Sequence, residues 1–274
     1  MRRWAPVLAA AIVAAGWTAP TTKSARAAAS PKHEIQVFAA ASLADAFGDI
    51  GRDFERSHEG LVVRLNLAGS QQLAAQLAQG AVADVFASAD ERWMEDVRSR
   101  DLLLGEPVPF AHNRLVVIVP RTNPARIGRL QDLGRGGIKL VLGADAVPVG
   151  RYSRIALRSL ARSPGFGADF ATRVLRNVVS EEENVKAVAS KVQLGEADAG
   201  IVYRSDVGPS IARFVRMFEL PEGASPVASY PIALVRGGLE PEAARTFVEF
   251  VLSSEGQRIL ERHGLMPRAA PGTP

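Results

Sequence analysis

Short strand-like runs alternate along this chain with stretches whose apolar residues recur every three or four positions. The runs are Ile35 to Ala39, Val62 to Leu67, Asp84 to Ala87, Leu115 to Val119, Lys139 to Leu142, Asn177 to Val179, Ala199 to Val202 and Ile232 to Val235. Each has strand length and a largely β-branched or aliphatic content. Between them, Leu43, Phe47, Ile50 and Phe54 mark one amphipathic helix, and Phe247, Val248, Val251 and Leu252 mark another near the end. Strands alternating with helices predict an α/β fold with parallel sheets.

Two breaker-rich passages interrupt this alternation, Leu104-Gly105-Glu106-Pro107-Val108-Pro109 and Ser205-Asp206-Val207-Gly208-Pro209. If the chain crosses between lobes at both, one lobe holds residues 33–111 plus 205–274 and the other residues 112–204. A cleft then separates them. No Gly/Ser linker and no internal repeat of solenoid length is present.

The N-terminal MRRWAPVLAAAIVAAGW places Arg2 and Arg3 before an apolar run, and Ala25-Arg26-Ala27 supplies a small-x-small cleavage pattern. Residues 1–27 therefore read as a secretory signal, too short in its apolar part to span a bilayer. The formal charge of the whole chain is +4. Cleavage would remove Arg2, Arg3, Lys23 and Arg26 with no acidic residue and leave a formally neutral chain, which gives no electrostatic case for binding nucleic acid or a membrane surface. There is no cysteine, hence no disulfide, no thiolate metal site and no N-terminal lipid anchor through sulfur. A free periplasmic protein is the expectation.

Five segments bring hydroxyls and unpaired backbone N–H groups to strand and helix ends: VFAAASL (37–43), LAGSQQL (67–73), VPVGRY (147–152), ENV (183–185) and GIVY (200–203). None holds a Lys, His or Cys, and neutral donors at helix N-termini suit an anion held and released unchanged. On its own segment, Ser42 also fits a plain helix N-cap with Asp45 three residues on. Gly69 would let backbone approach a ligand, and Ser70 also fits a capped helix. Asp84 and Asp90 fit turn and cap roles rather than metal binding. Asp45 and the run Glu181, Glu182 and Glu183 stand against an anion unless they turn aside or serve the helix dipole.

VFAAASL, AGSQQLAAQLAQGAVADVFASADERWM, VPVGRY and ENVKAVASKVQLGEADAGIVYRSD, in this order and spacing, closely resemble periplasmic molybdate-binding proteins of ABC transporters. The resemblance implies a two-lobed periplasmic-binding-protein fold of type II with the ligand between the lobes. It implies that Ser42 and Ser70 bind the oxyanion by side chain and amide, Val149 and Val185 by backbone, and Tyr203 by its phenol. Molybdate, and tungstate with it, would be handed to an inner-membrane ABC permease by a monomer that catalyses nothing, needs no cofactor and holds molybdenum only as the oxyanion.

Two other classes compete. A carrier of the same fold could take sulfate or another oxyanion. A secreted serine hydrolase could use Ser42 or Ser70, although no G-x-S-x-G or H-E-x-x-H sequence is present and His33, His58, His112 and His263 fall outside the five segments.

Overall fold

The structure, a computed structural model, describes residues 33–268. The expected signal segment and the six C-terminal residues lie outside the described residues. The strands are β1 (His33–Ala40), β2 (Leu61–Ala68), β3 (Val85–Ala87), β4 (Leu103–Asn113), β5 (Leu115–Pro120), β6 (Leu140–Gly143), β7 (Val178–Glu182), β8 (Ala199–Tyr203), β9 (Val215–Glu219), β10 (Ala228–Val235) and β11 (Met266–Pro267). The helices are α1 (Ala44–Ser57), α2 (Ser70–Ala78), α3 (Glu91–Ser99), α4 (Pro148–Ala161), α5 (Phe170–Arg176), α6 (Val185–Gln193), α7 (Pro209–Ala212), α8 (Pro241–Leu252) and α9 (Ser254–Arg262).

The strands form two sheets, ordered β11-β4-β10-β3-β1-β2 and β7-β6-β8-β5-β9. Parallel pairing is confined to β1 with β2 and β3, and to β6 with β7 and β8. The expectation of parallel sheets is corrected here: β10 runs antiparallel to β3 and β4, and β5 antiparallel to β8 and β9. Both strands enter directly from the other sheet. No helical crossover precedes them to set a parallel direction.

Leu104 to Pro109, expected to be a boundary, lies inside β4. Gly105 takes φ +84°, and the β4–β10 register shifts beside Pro231, which faces Pro109, so the missing proline donors coincide with an irregular ladder. The chain crosses between sheets at Arg114, between β4 and β5. It returns after β9 rather than at residue 205, because the turn beyond β8 and α7 swing the chain back to pair with β5. Residues 215–219 thus lie in the second sheet.

The helical patterns read from sequence form the core. Leu43, Phe47, Ile50 and Phe54 are each fully buried. Phe247 of α8 meets the Phe47 and Phe54 rings edge-on at 6.1 and 5.3 Å, an arrangement aromatic quadrupoles favour. This packing fixes α1, and with it the turn that precedes α1, against the C-terminal end of β1.

Candidate functional site

A small cavity lies between the elements of the two sheets, at the C-terminal ends of β1, β2 and β8 and the N-termini of α2, α4 and α6. From the first sheet its walls include Ser42, Gly69, Ser70 and Ala89; from the second, Val147, Val149, Asn184, Val185 and Tyr203. It offers about 20 Å³ to the centre of a water-sized sphere, whereas a single water needs roughly 10–15 Å³. Only a compact group of a few heavy atoms fits without the sheets moving apart. All five sequence-derived residues, Ser42, Ser70, Val149, Val185 and Tyr203, line this one cavity.

Local sequence explains the convergence. Val147 and Pro148 start α4 with proline at its first position, and Asn184 caps α6 by accepting from Ala187 N–H at 3.0 Å. The first-turn amides of Val149 and Val185 have no intrahelical acceptor, and both residues line the cavity. Gly150 lets α4 begin against the preceding turn, since a Cβ there would collide with the Gly143 and Ala144 carbonyls. A Cβ on Gly69 would fall 2.6 Å from the Glu183 carbonyl, so glycine is what allows the first sheet's elements to touch the second's.

The two serines are not the caps their segments suggested. Ser42 sits in a 3-10 turn, Ala41–Leu43, with no side-chain capping bond, because its Oγ lies 2.9 Å from the Tyr230 hydroxyl. Ser70 is the first residue of α2, and Gly69 occupies the cap position. Ala89 N–H donates to Ser70 Oγ at 3.0 Å, leaving the serine proton for another acceptor. Tyr203 is fully buried, yet its hydroxyl has no hydrogen-bond partner among the described residues. Burial raises the Tyr203 and Tyr230 phenols well above their ordinary value, so both remain protonated donors.

The acidic residues turn aside. Lys186 Nζ lies 2.9 Å from Asp45 Oδ2 and 3.6 Å from Asp206 Oδ1. Burial works against the lysine charge, but Asp206 and Asp45 outweigh it and raise its pKa. Glu181 pairs with Arg154, Glu182 accepts from Lys191 at 2.6 Å, and Glu183 accepts from Gln72 Nε2 at 3.0 Å. None of the three lines the cavity. Asp90 caps α3 through Trp93 N–H at 3.1 Å, as its sequence context predicts. Asp84 instead accepts from Gln36 and Glu240 N–H, tying β1 to the start of α8.

Further hydrogen bonds join the two halves around the cavity. Trp93 Nε1–H donates to the Ala146 carbonyl at 2.8 Å, and Gln71 Nε2–H to the Glu183 carbonyl at 2.6 Å. Sequence reasoning missed these residues along with Tyr230, Asn113 and Lys186. Lys186 stands in the ENVKAV segment, but its partner Asp45 is 141 positions away, beyond any local signal.

The family profile described as bacterial extracellular solute-binding protein matches residues 35–266. The chain belongs to that family. This solute-binding protein is 40% identical over 258 residues to the molybdate-binding protein ModA of Mycobacterium bovis, covering 94% of each chain. In fold it is similar to the periplasmic molybdate-binding protein of Azotobacter vinelandii, with TM-score 0.73, 19% identity and coverage of 86% of this chain and 100% of that one. It is similar in the same way to the sulfate-binding protein SubI of Mycobacterium tuberculosis, with TM-score 0.76, 19% identity and coverage of 85% and 86%. The two-lobed α/β architecture is thus shared by proteins named for different anions, and the ligand has to be read from the cavity.

Proposed function

We propose that this solute-binding protein captures molybdate, and tungstate with it, outside the cytoplasmic membrane and passes it unchanged to an ABC permease. The observation that carries the reading is the buried Tyr203 hydroxyl, without a partner among the described residues, beside a cavity that Ser42, Ser70, Val149 and Val185 also line. An unmet buried hydroxyl costs about 1–3 kcal/mol unless a ligand meets it. The 40% identity to a protein named for molybdate supports the choice of anion.

The physics of capture follows from the donor set. Moving one charge into a low-dielectric interior costs on the order of 20 kcal/mol in the Born limit, and more for a dianion. Ser42, Ser70, Val149, Val185 and Tyr203 offset this with aimed dipoles from both halves, so closure around the anion completes its coordination. No lysine or arginine lines the cavity, so no fixed cation retains the anion when the halves separate. Neither serine is hydrogen-bonded to a histidine, which leaves the hydrolase alternative without a general base at this site.

Thermal-shift measurement on metal-free protein tests the reading. Molybdate at a thousand times its dissociation constant adds about 4 kcal/mol of stability. No shift with molybdate or tungstate would refute it.

A further inference from the structure

Both helices of the second half that begin at the cavity are gripped from the first half just ahead of their first turn. Trp93, on α3, donates its Nε1–H to the carbonyl of Ala146, the residue before the cavity-lining Val147. Gln71, on α2, donates its Nε2–H to the carbonyl of Glu183, just ahead of Asn184 and Val185. Neither Trp93 nor Gln71 lines the cavity. The Trp93 grip is well supported. Asp90, fully buried, accepts the Trp93 backbone N–H at 3.1 Å and turns its other oxygen to Arg151 of α4 at 3.5 Å, while the Arg92 guanidinium lies 5.0 Å from the indole ring centre. Gln71 is reinforced by its neighbour Gln72, whose Nε2–H meets the Glu183 carboxylate at 3.0 Å.

We propose that Trp93 and Gln71 are positioning residues that set how long the bound anion stays, by holding α4 and α6 to the first half without touching the ion. The proposal rests on the oxyanion reading above. Val149 and Val185 cannot withdraw from an ion in the cavity unless α4 and α6 move, and these helices cannot leave the first half until both carbonyls are released. An ion that enters while the halves are apart meets neither bond. The two bonds therefore act on dissociation, where most affinity differences between related complexes arise. Both donors are neutral, so removing them leaves the field felt by an approaching anion unaltered.

Radiolabelled molybdate, loaded on the protein and chased with excess unlabelled molybdate, gives the dissociation rate of wild type, Trp93→Phe, Gln71→Met and the double variant. Calorimetry gives the equilibrium constant, and the two together give the association rate. Each single substitution removes one neutral N–H donor and keeps most of the side-chain bulk. Each should speed release about three- to tenfold, the worth of one hydrogen bond, with no fall in the association rate. The double variant should release faster than either. A folding defect would instead lower the number of sites per chain and leave release from the folded remainder unmoved. A wild-type release rate in either single variant, a double variant no faster than the singles, or a weaker affinity carried by slower association alone overturns the proposal. Failure of the wild type to bind molybdate in calorimetry overturns the reading beneath it instead.

Discussion

Lys186 on α6 reaches across to Asp45 on α1, Nζ to Oδ2 at 2.9 Å, and so joins the helix whose first amide lines the cavity to the helix that follows Ser42. The pair also removes the main electrostatic objection to an anion beside α1. Asp45 is half-exposed, which limits the pair's value for stability, but its neutralisation matters to any negative ligand nearby.

Lys186→Met should therefore weaken molybdate binding about five- to tenfold, roughly 1 kcal/mol, with the deficit shrinking as salt is raised. Adding Asp45→Asn in the same chain should restore part of the affinity. Calorimetric titration of the two variants checks this, and an additive second loss would contradict it.

Ser42→Ala and Ser70→Ala each remove one donor to a charged ligand. Each should cost about 1.5–3 kcal/mol, or ten- to a hundredfold in affinity. Fluorescence or calorimetric titration with molybdate reads the effect directly.

Tyr203→Phe separates a binding residue from a structural one. Its hydroxyl is buried without a partner, so deleting it should leave the ligand-free melting temperature unchanged or slightly raised, while molybdate affinity falls. A collapse of ligand-free stability with affinity intact would make it a core residue.

Asp206 supplies a pH dependence with a defined sign. Burial raises its pKa from 3.8 to about 6, opposed by Lys186 and by the Tyr203 N–H donated to its carboxylate at 3.1 Å. Between about pH 4 and 6 the folded protein binds the proton that the unfolded chain has already lost, so this group's contribution to stability falls as pH rises through that window. Asp206→Asn lacks the effect. Its stability relative to wild type should grow by up to about 3 kcal/mol from pH 4 to pH 7 in denaturant titrations.

The site was legible where chemistry is local. Helix starts carry their signatures within a few residues, so the segments VPVGRY, ENV, VFAAAS and AGS could be found locally, whereas the choice of Val149, Val185, Ser42 and Ser70 within them came from the family resemblance; all four line one cavity. What escaped depends on pairing across the chain. Tyr230 sits mid-strand in β10, 188 positions from Ser42, and nothing near Ala228-Ser229-Tyr230-Pro231 marks it as a partner. The same reason hid β4 and β9: Pro107 and Pro109 read locally as breakers, and the Val215–Glu219 strand is exposed at Arg216, Met217 and Glu219 without a strict alternation and gains its identity only by pairing with β5. The capping readings of Ser42 and Ser70 failed likewise, since each hydroxyl has a more distant partner than its own helix.

The most direct test of donor-only recognition in this cavity is a calorimetric titration of metal-free wild-type protein with molybdate in the presence of excess sulfate. Sulfate carries the same charge on shorter bonds, and donors fixed on two rigid halves cannot all reach its oxygens, each miss costing about 1–3 kcal/mol. A one-to-one isotherm little changed by a hundredfold excess of sulfate is the predicted result. Loss of the molybdate heat under sulfate, or no molybdate heat at all, would contradict it.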